Sequence, residues 1–275
     1  MDKGIRSTRV RAGQGRTRGL GLALLAAGVA AAGWVSLDAS ASRLLGDAAG
    51  AVDGAALLKQ IDRGLNPESY DSYRKIINAE PDGRQREFLL YSIKSGRDRV
   101  AALFLSPASD KGRSTLRLGE NMWLYIPSAG KPLRITSLQS VIGGVFNNAD
   151  ILSLDHSDEY TVERMGVEGE ARVLELKARS STVAYDRLTM RVDPSRPIPS
   201  RIDCLTATGV LVKTLHFKQV TDFGGGLVRP AVIETDSPLQ KGYRSTMVFA
   251  KMAARTFRDE VFSLPFMPNI ESLRR

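Results

Sequence analysis

The sequence predicts a mainly β protein with a few helices: one meandering antiparallel sheet that curls toward a barrel, with a helix before it and a short helical lid over its mouth. Three observations carry this expectation. After Tyr70 the chain runs through about a dozen β-compatible stretches at regular spacing, many punctuated by turn signals such as Pro81-Asp82-Gly83, Ser95-Gly96-Arg97-Asp98 and Glu168-Gly169-Glu170. No long helical pattern alternates with the strands, which disfavours a doubly wound α/β fold. With 275 residues, 43% of them hydrophobic and 25% charged, the chain carries enough apolar surface for a substantial core.

Residues 1–41 read as a leader outside the fold. Lys3, Arg6, Arg9, Arg11, Arg16 and Arg18 form a basic start, Leu20 to Val35 is an apolar run rich in Ala and Leu, and Ala39-Ser40-Ala41 is a small-residue cleavage site. An uncleaved anchor is the competing reading, disfavoured because the run falls short of the ~20 apolar residues that span a bilayer. A lipid anchor on the mature chain is excluded because no cysteine lies near the cleavage site; Cys204 is the only one and reads as a small buried hydrophobe. A single cysteine also excludes an internal disulfide, so residues 42–275, read as one domain, must rely on their apolar core. The leader holds six basic and two acidic residues of the net +9, which leaves 33 basic and 28 acidic, or +5. That surface suits an acidic partner or anionic headgroups and is too weak and dispersed to argue for nucleic acid.

In the mature part, Val52, Ala55, Ala56, Leu58, Ile61 and Leu65 recur at three- and four-residue steps, an amphipathic helix stopped by Asn66-Pro67. The strands follow. Leu174, Leu176 and Ala178 share one face, as in a half-buried strand. Other strands are apolar on both sides: Val210, Leu211, Val212, Leu215 and Phe217 form one, and Met247-Val248-Phe249-Ala250 another. They need cover twice over, which either a lid above a cavity or an ordinary sandwich core supplies. At the end, Phe257, Val261, Phe262 and Leu264 precede Pro265 and Pro268, which forbid a long helix, so this end is expected to fold back over a sheet edge.

The stretch 112–150 organises the rest. Ser114 to Leu118 and Met122 to Ile126 are joined by Gly119-Glu120-Asn121, a hairpin connection, and Pro127 ends the second strand. Beyond Ile135 the alternation stops, and Leu138, Val141, Ile142, Val145 and Phe146 recur at helical spacing across Gly143-Gly144. A short apolar helix broken by glycines reads as a lid with a hinge. Alanine at both glycines is then expected to favour the helical, closed lid and to slow release of anything beneath it. Trp123 and Tyr125 alternate with Met122, Leu124 and Ile126, so one set faces the inside of the curved sheet; rings with a polar edge suit a cavity rim, and ordinary core packing serves equally.

The order Arg117, Gly119, Met122, Trp123, Tyr125, Pro127, then Arg134-Ile135, Gln139 and a Gly-Gly-x-Phe step before Asp150, resembles the outer-membrane lipoprotein-sorting (LolA-like) family of periplasmic carriers. The similarity extends over roughly Leu57 to Leu264 and is greatest to the branch that accompanies inner-membrane exporters. It implies an incompletely closed antiparallel β-barrel of about eleven strands with helices in its mouth and an apolar cavity for acyl chains. Met122, Trp123, Tyr125, Val141, Ile142, Phe146, Leu215, Phe217, Met247 and Phe249 are the residues expected to line that cavity.

Catalytic patterns are missing from the sequence. Asp155-His156-Ser157-Asp158-Glu159 groups titratable side chains, but neighbours on an extended or looped backbone point to different sides, so a solvated loop is expected rather than a metal or acid–base site. There is no Gly-x-Ser-x-Gly elbow, P-loop, Gly-x-Gly-x-x-Gly or Cys-x-x-Cys. The expected function is therefore non-enzymatic and needs no cofactor or metal. The resemblance implies a periplasmic carrier that shields the acyl chains of a lipoprotein or lipid between an inner-membrane exporter (an ABC or RND-type permease) and the outer membrane, with an outer-membrane receptor as a further partner. The alternative is an envelope interaction or sensor module that carries no cargo.

Overall fold

The computed structural model describes residues 54–274. The expected leader, its cleavage site and the start of the first helix lie outside the described residues. The chain enters the described part in helix α1 (54–65) and continues through thirteen strands: β1 (Ser69–Ala79), β2 (Gln85–Ser95), β3 (Arg99–Ser106), β4 (Ser114–Leu118), β5 (Asn121–Tyr125), β6 (Pro132–Ile135), β7 (Tyr160–Glu168), β8 (Ala171–Ala178), β9 (Arg187–Val192), β10 (Pro199–Leu205), β11 (Leu211–Asp222), β12 (Val228–Asp236) and β13 (Arg244–Ala254). Two four-residue helices, α2 (Asn148–Ile151) and α3 (His156–Glu159), lie between β6 and β7.

All thirteen strands, rather than about eleven, form one antiparallel sheet in the order β6-β5-β4-β3-β2-β1-β13-β12-β11-β10-β9-β8-β7. The first strand pairs with the last, so the meander turns back on itself, but β6 and β7 remain unpaired edges and the barrel does not close. Period-2 alternation sets which side chains enter the concavity. On β1, Tyr70, Ser72, Arg74, Ile76 and Asn78 are the buried set. On β13 the buried set runs Ser245, Met247 and Phe249, and a bulge beside Tyr73 and Arg74 then moves it to Met252. The extra residue changes the phase of the strand and leaves Phe249 opposite Arg74.

Two clusters share the concave side. α1 lays Leu57, Leu58, Ile61 and Leu65 on Leu174, Leu176, Leu188, Met190 and Ile202 of β8–β10. Burial of such a side chain is worth roughly 1.5–3 kcal/mol each, which fixes the helix across this half of the sheet. Ala55 and Ala56, expected in the apolar stripe, point outward, and Leu57 takes their place. Over β1–β5 and β13, residues of the β6–β7 connection fill the concavity instead.

The carboxyl end departs from expectation. It covers the outer face of β2–β5, not an edge, and it does so as two 3₁₀ segments, Asp259–Val261 and Leu264–Leu273, the second with Pro268 inside it. Val261, Phe262, Met267 and Ile270 pack on Tyr91, Ile93, Ala101, Leu103 and Leu116. This half of the sheet is thus buried on both faces.

Candidate functional site

The connection between β6 and β7, residues 136–159, enters the concave side as a plug. The helix expected over Leu138 to Phe146 does not form, because Gly143 and Gly144 adopt φ of 68° and 72°, left-handed values that break a right-handed helical path. Helical turns come only afterwards. Asn147 caps α2 with a reciprocal box: Asp150 N–H donates to its Oδ1 at 3.1 Å while its own N–H donates to Asp150 Oδ2 at 2.9 Å. Ile142, Phe146, Ile151, Leu152 and Leu154 bury their side chains against Ile76, Phe88, Phe104, Met122 and Met247 of the strands, and Val141 packs partly buried beside them. Leu138 points to solvent.

An irregular buried segment cannot satisfy its own backbone, and here side chains from distant strands do so. Asn78 Nδ2 donates to the carbonyls of Ile142 and Gly143 at 3.3 and 3.2 Å. Ser245 Oγ accepts from Val145 N–H at 2.9 Å and donates to Asn78 Oδ1 at 2.7 Å. Arg74 Nη1 reaches the Ile151 carbonyl at 2.9 Å, and Arg117 Nη1 the Leu152 carbonyl at 3.1 Å. Lys213 donates to the Val145 carbonyl and, at 2.7 Å, to Asp150 Oδ2. Tyr185 O–H also donates to Asp150, and accepts from Asn147 Nδ2 at 2.8 Å.

The acidic run at the end of the plug is tied down in the same way, which corrects the expectation of a solvated loop. Asp155 pairs with the buried Lys94 at 2.8 Å, Asp158 with Arg97, and Glu159 with Arg117. His156 faces Asp62 of α1: Asp62 accepts from the backbone N–H of His156 and Ser157 at 2.8 Å each, and its Oδ1 lies 3.1 Å from His156 Nδ1. The sequence signal was available in Lys94 and Arg117, cations inside otherwise apolar strands, but not their partners.

Burial pushes the Asp62 carboxyl up, yet the His156 side chain and the two backbone donors outweigh it and hold the group below its usual value. Burial pushes His156 down, and Asp62 more than offsets that, so the imidazole titrates above its usual value. The lowered carboxyl stabilises the folded state above about pH 4 and loses this as pH falls through its folded value; the raised imidazole does so below about pH 6.5 and loses it as pH rises through its own. The pair is therefore expected to contribute most between about pH 4 and 6.5. With the Asp62 side chain 3% and the His156 side chain 20% exposed, desolvation offsets part of the attraction and the pair is worth on the order of 1 kcal/mol. In urea titrations, the midpoint difference between the wild type and His156→Asn should be largest in that window and shrink toward pH 8; a difference independent of pH would remove the pair from the fastening of the plug.

Between plug, α1 and strands lies a cavity of about 90 Å³, room for a few water molecules. Phe146, Leu215, Phe217, Met247 and Phe249, all expected at the site, line it together, beside Tyr70, Arg74, Asp150, Tyr185 and Arg229. Met122 and Ile142 are buried in the adjoining plug core, with Val141 partly buried against it. Trp123 and Tyr125 do not reach the cavity. They lie on the outer face, packed against the carboxyl-terminal cover, where Arg134 stacks 5.8 Å from the Trp123 ring. The buried cations Arg74, Lys213 and Arg229 were missed, because sequence alone gives no reason to place a charge in an apolar cavity.

The model of a protein family described as "-like: Uncharacterized protein" matches residues 96–269. The chain belongs to this family. Its fold is LolA-like. A LolA superfamily protein from Nitrosomonas europaea superposes with a TM-score of 0.70 at 23% identity, covering 78% of this chain and 98% of its own. A structure described as an outer membrane lipoprotein-sorting protein domain from Vibrio parahaemolyticus gives 0.70 at 15% identity, over 79% and 99%. A DUF1329 family protein from Desulfovibrio piger gives 0.69 at 19% identity, over 79% and 99%. No curated protein matches the chain. Among the described residues no helix is long and apolar enough to cross a membrane.

Proposed function

We propose that this LolA-like protein is an envelope carrier that binds acyl chains in the concave face of its sheet, in the space the plug now occupies. One observation carries the reading: an apolar concavity is filled by a segment of the chain whose side chains are greasy but whose backbone is fastened by polar side chains, not by regular secondary structure. Phe146, Ile142, Ile151 and Leu152 stand where a chain would lie, so a cargo would displace them and take over their contacts. Fastening by separable hydrogen bonds suits a cover that must open, since each net bond is worth only about 1 kcal/mol. The likeness to a structure named for lipoprotein sorting and the leader-like amino terminus support a periplasmic setting; the proposal adds loading at an inner-membrane exporter and delivery to an outer-membrane receptor.

A second reading, an envelope interaction module without cargo, is favoured by the cavity's size: about 90 Å³ is well short of the roughly 300 Å³ at which ligand pockets begin. The two are separated by a solvatochromic fatty-acid probe added to protein stripped of endogenous lipid. The carrier reading expects saturable binding with a negative heat-capacity change, measured by calorimetry at several temperatures, as chain and concavity leave water. No binding to the stripped protein would favour the module.

A further inference from the structure

The cavity contains two positive charges with no counter-charge among the described residues. Arg74 on β1 and Arg229 on β12 are 3% and 2% exposed, and both guanidiniums lie over the ring of Phe249, Arg229 at 3.9 Å and Arg74 at 5.6 Å from its centroid. The bulge in β13 is what brings Phe249 opposite Arg74. Every other charge in the cavity wall is matched: Asp150 by Lys213, Glu159 by Arg117, and His156 by Asp62. Among the described residues no carboxylate pairs with either of the two arginines. Their hydrogen bonds go to neutral oxygens and sulfur. Arg74 uses Ser92 Oγ and the Ile151 carbonyl, and Arg229 the carbonyls of Leu65 and Pro230 and Asn66 Oδ1, with Met247 and Met252 at the edges. Ser72, next on the same inward face of β1 as Arg74, is 1% exposed, and its hydroxyl has no partner among the described residues.

Two unneutralised charges in an apolar chamber are costly, and replacing such groups by apolar side chains often stabilises a protein. Burial pushes Arg74 below its usual value and Arg229 down to about 10, with the charge of Arg74 adding to the effect on Arg229. Guanidiniums are not deprotonated in proteins, so both carry their charge at neutral pH. The Nη2 atoms of both guanidiniums make no hydrogen bond among the described residues, which leaves two donors beside the cavity for one oxyanion.

We propose that Arg74 and Arg229, with Phe249 beneath them, form a headgroup site that selects an amphiphile bearing one oxyanion, a carboxylate or a phosphate, at the end of its acyl chain. This rests on the carrier reading and adds the class of cargo to it. The chain would lie along Leu215, Phe217 and Met247 of the strands, and the anion would supply the charge that the described residues withhold.

The test compares hexadecanoate with hexadecanol, which share a chain and differ at the head, on lipid-stripped protein at pH 7.4. The proposal expects the acid to bind about tenfold or more tightly than the alcohol, since hydrogen bonds to charged groups discriminate on this scale. The preference should disappear in Arg229→Met and persist in part in Arg229→Lys, while the urea midpoint of Arg229→Met stays the same or rises. Equal affinities in the wild type overturn the headgroup site and leave the carrier reading standing; binding of neither overturns both. A preference for the acid that survives in Arg229→Met also overturns the assignment. Inorganic phosphate and acetate, added alone, separate a headgroup from a free anion: tight binding of either without a chain overturns the amphiphile. The wild-type comparison decides the matter even if a variant fails to fold.

Discussion

Replacing Lys213 by methionine is expected to cost about 3–5 kcal/mol and to release the plug before the sheet unfolds. The two partners of this ion pair, 2.7 Å apart, have side chains only 5% and 6% exposed. Removal of the ammonium leaves Asp150 as an uncompensated charge in the wall of an apolar cavity, and it also removes the donor to the Val145 carbonyl. Asp150 cannot simply turn to water, because it is held by Tyr185 and by the cap it makes with Asn147. Relief comes by moving the plug outward. Hydrogen exchange at the amides of Ile151 and Leu152, which are bonded within the plug to Asn147 and Asn148, should therefore lose protection while β8 and β9 keep theirs. Lys213→Met combined with Asp150→Asn should recover most of the loss, since a pair removed together leaves no orphan charge. Urea unfolding of the single and double variants measures it. A single variant as stable as the wild type, with a protected plug, would show that other contacts hold the segment.

Many of the strands were legible in the sequence because two local signals agreed on them, period-2 alternation between residues and glycine- or proline-marked turns; those apolar on both sides showed only as β-compatible runs. Where the face of a strand had to be assigned, legibility ended. Alternation shows that Trp123 and Tyr125 share a side opposite to Met122, but β2–β5 are covered on both faces, so nothing local says which side is inner. The 3–4 spacing of Ile142, Val145 and Phe146 did identify residues that become buried. It misidentified the backbone, because spacing reports which side chains seek cover and not the path that delivers them. The path is set by Asn78, Lys213, Arg74 and Ser245, which lie 64 to 100 residues away from the groups they hold. No window of sequence contains both partners. Buried cations are invisible for the same reason: Arg74 sits in a strand whose alternation would place a charge inside, a conflict that only the cavity and the cation–ring contacts explain.

Replacing Gly144 by alanine is expected to open the plug, the reverse of what the sequence alone implies. On sequence grounds the two glycines interrupt a helix, and alanine should extend it and slow release. In the structure both are left-handed, where an L side chain costs about 1–2 kcal/mol. They differ in what a new Cβ would meet. At Gly143 it would lie 2.7 Å from Arg86 Nη2, the far end of a flexible side chain that can give way. At Gly144 it would lie 2.3 Å from Asn78 Oδ1 and 2.4 Å from Cγ, a buried amide that has nowhere to go. Displacing Asn78 removes one of two donors from each of the Ile142 and Gly143 carbonyls, which keep Arg86 and Ser140, and leaves the buried Ser245 hydroxyl without its acceptor, worth about 1–3 kcal/mol in the interior. Together with the backbone strain, Gly144→Ala should destabilise the closed plug by roughly 3–5 kcal/mol, and Gly143→Ala by about 1–2. Equilibrium titration with a fatty-acid probe reads the consequence. A chain that must displace the plug should bind Gly144→Ala more tightly by on the order of a hundredfold, with a smaller gain for Gly143→Ala. Equal affinities of Gly144→Ala and the wild type would mean that a chain enters without displacing this segment.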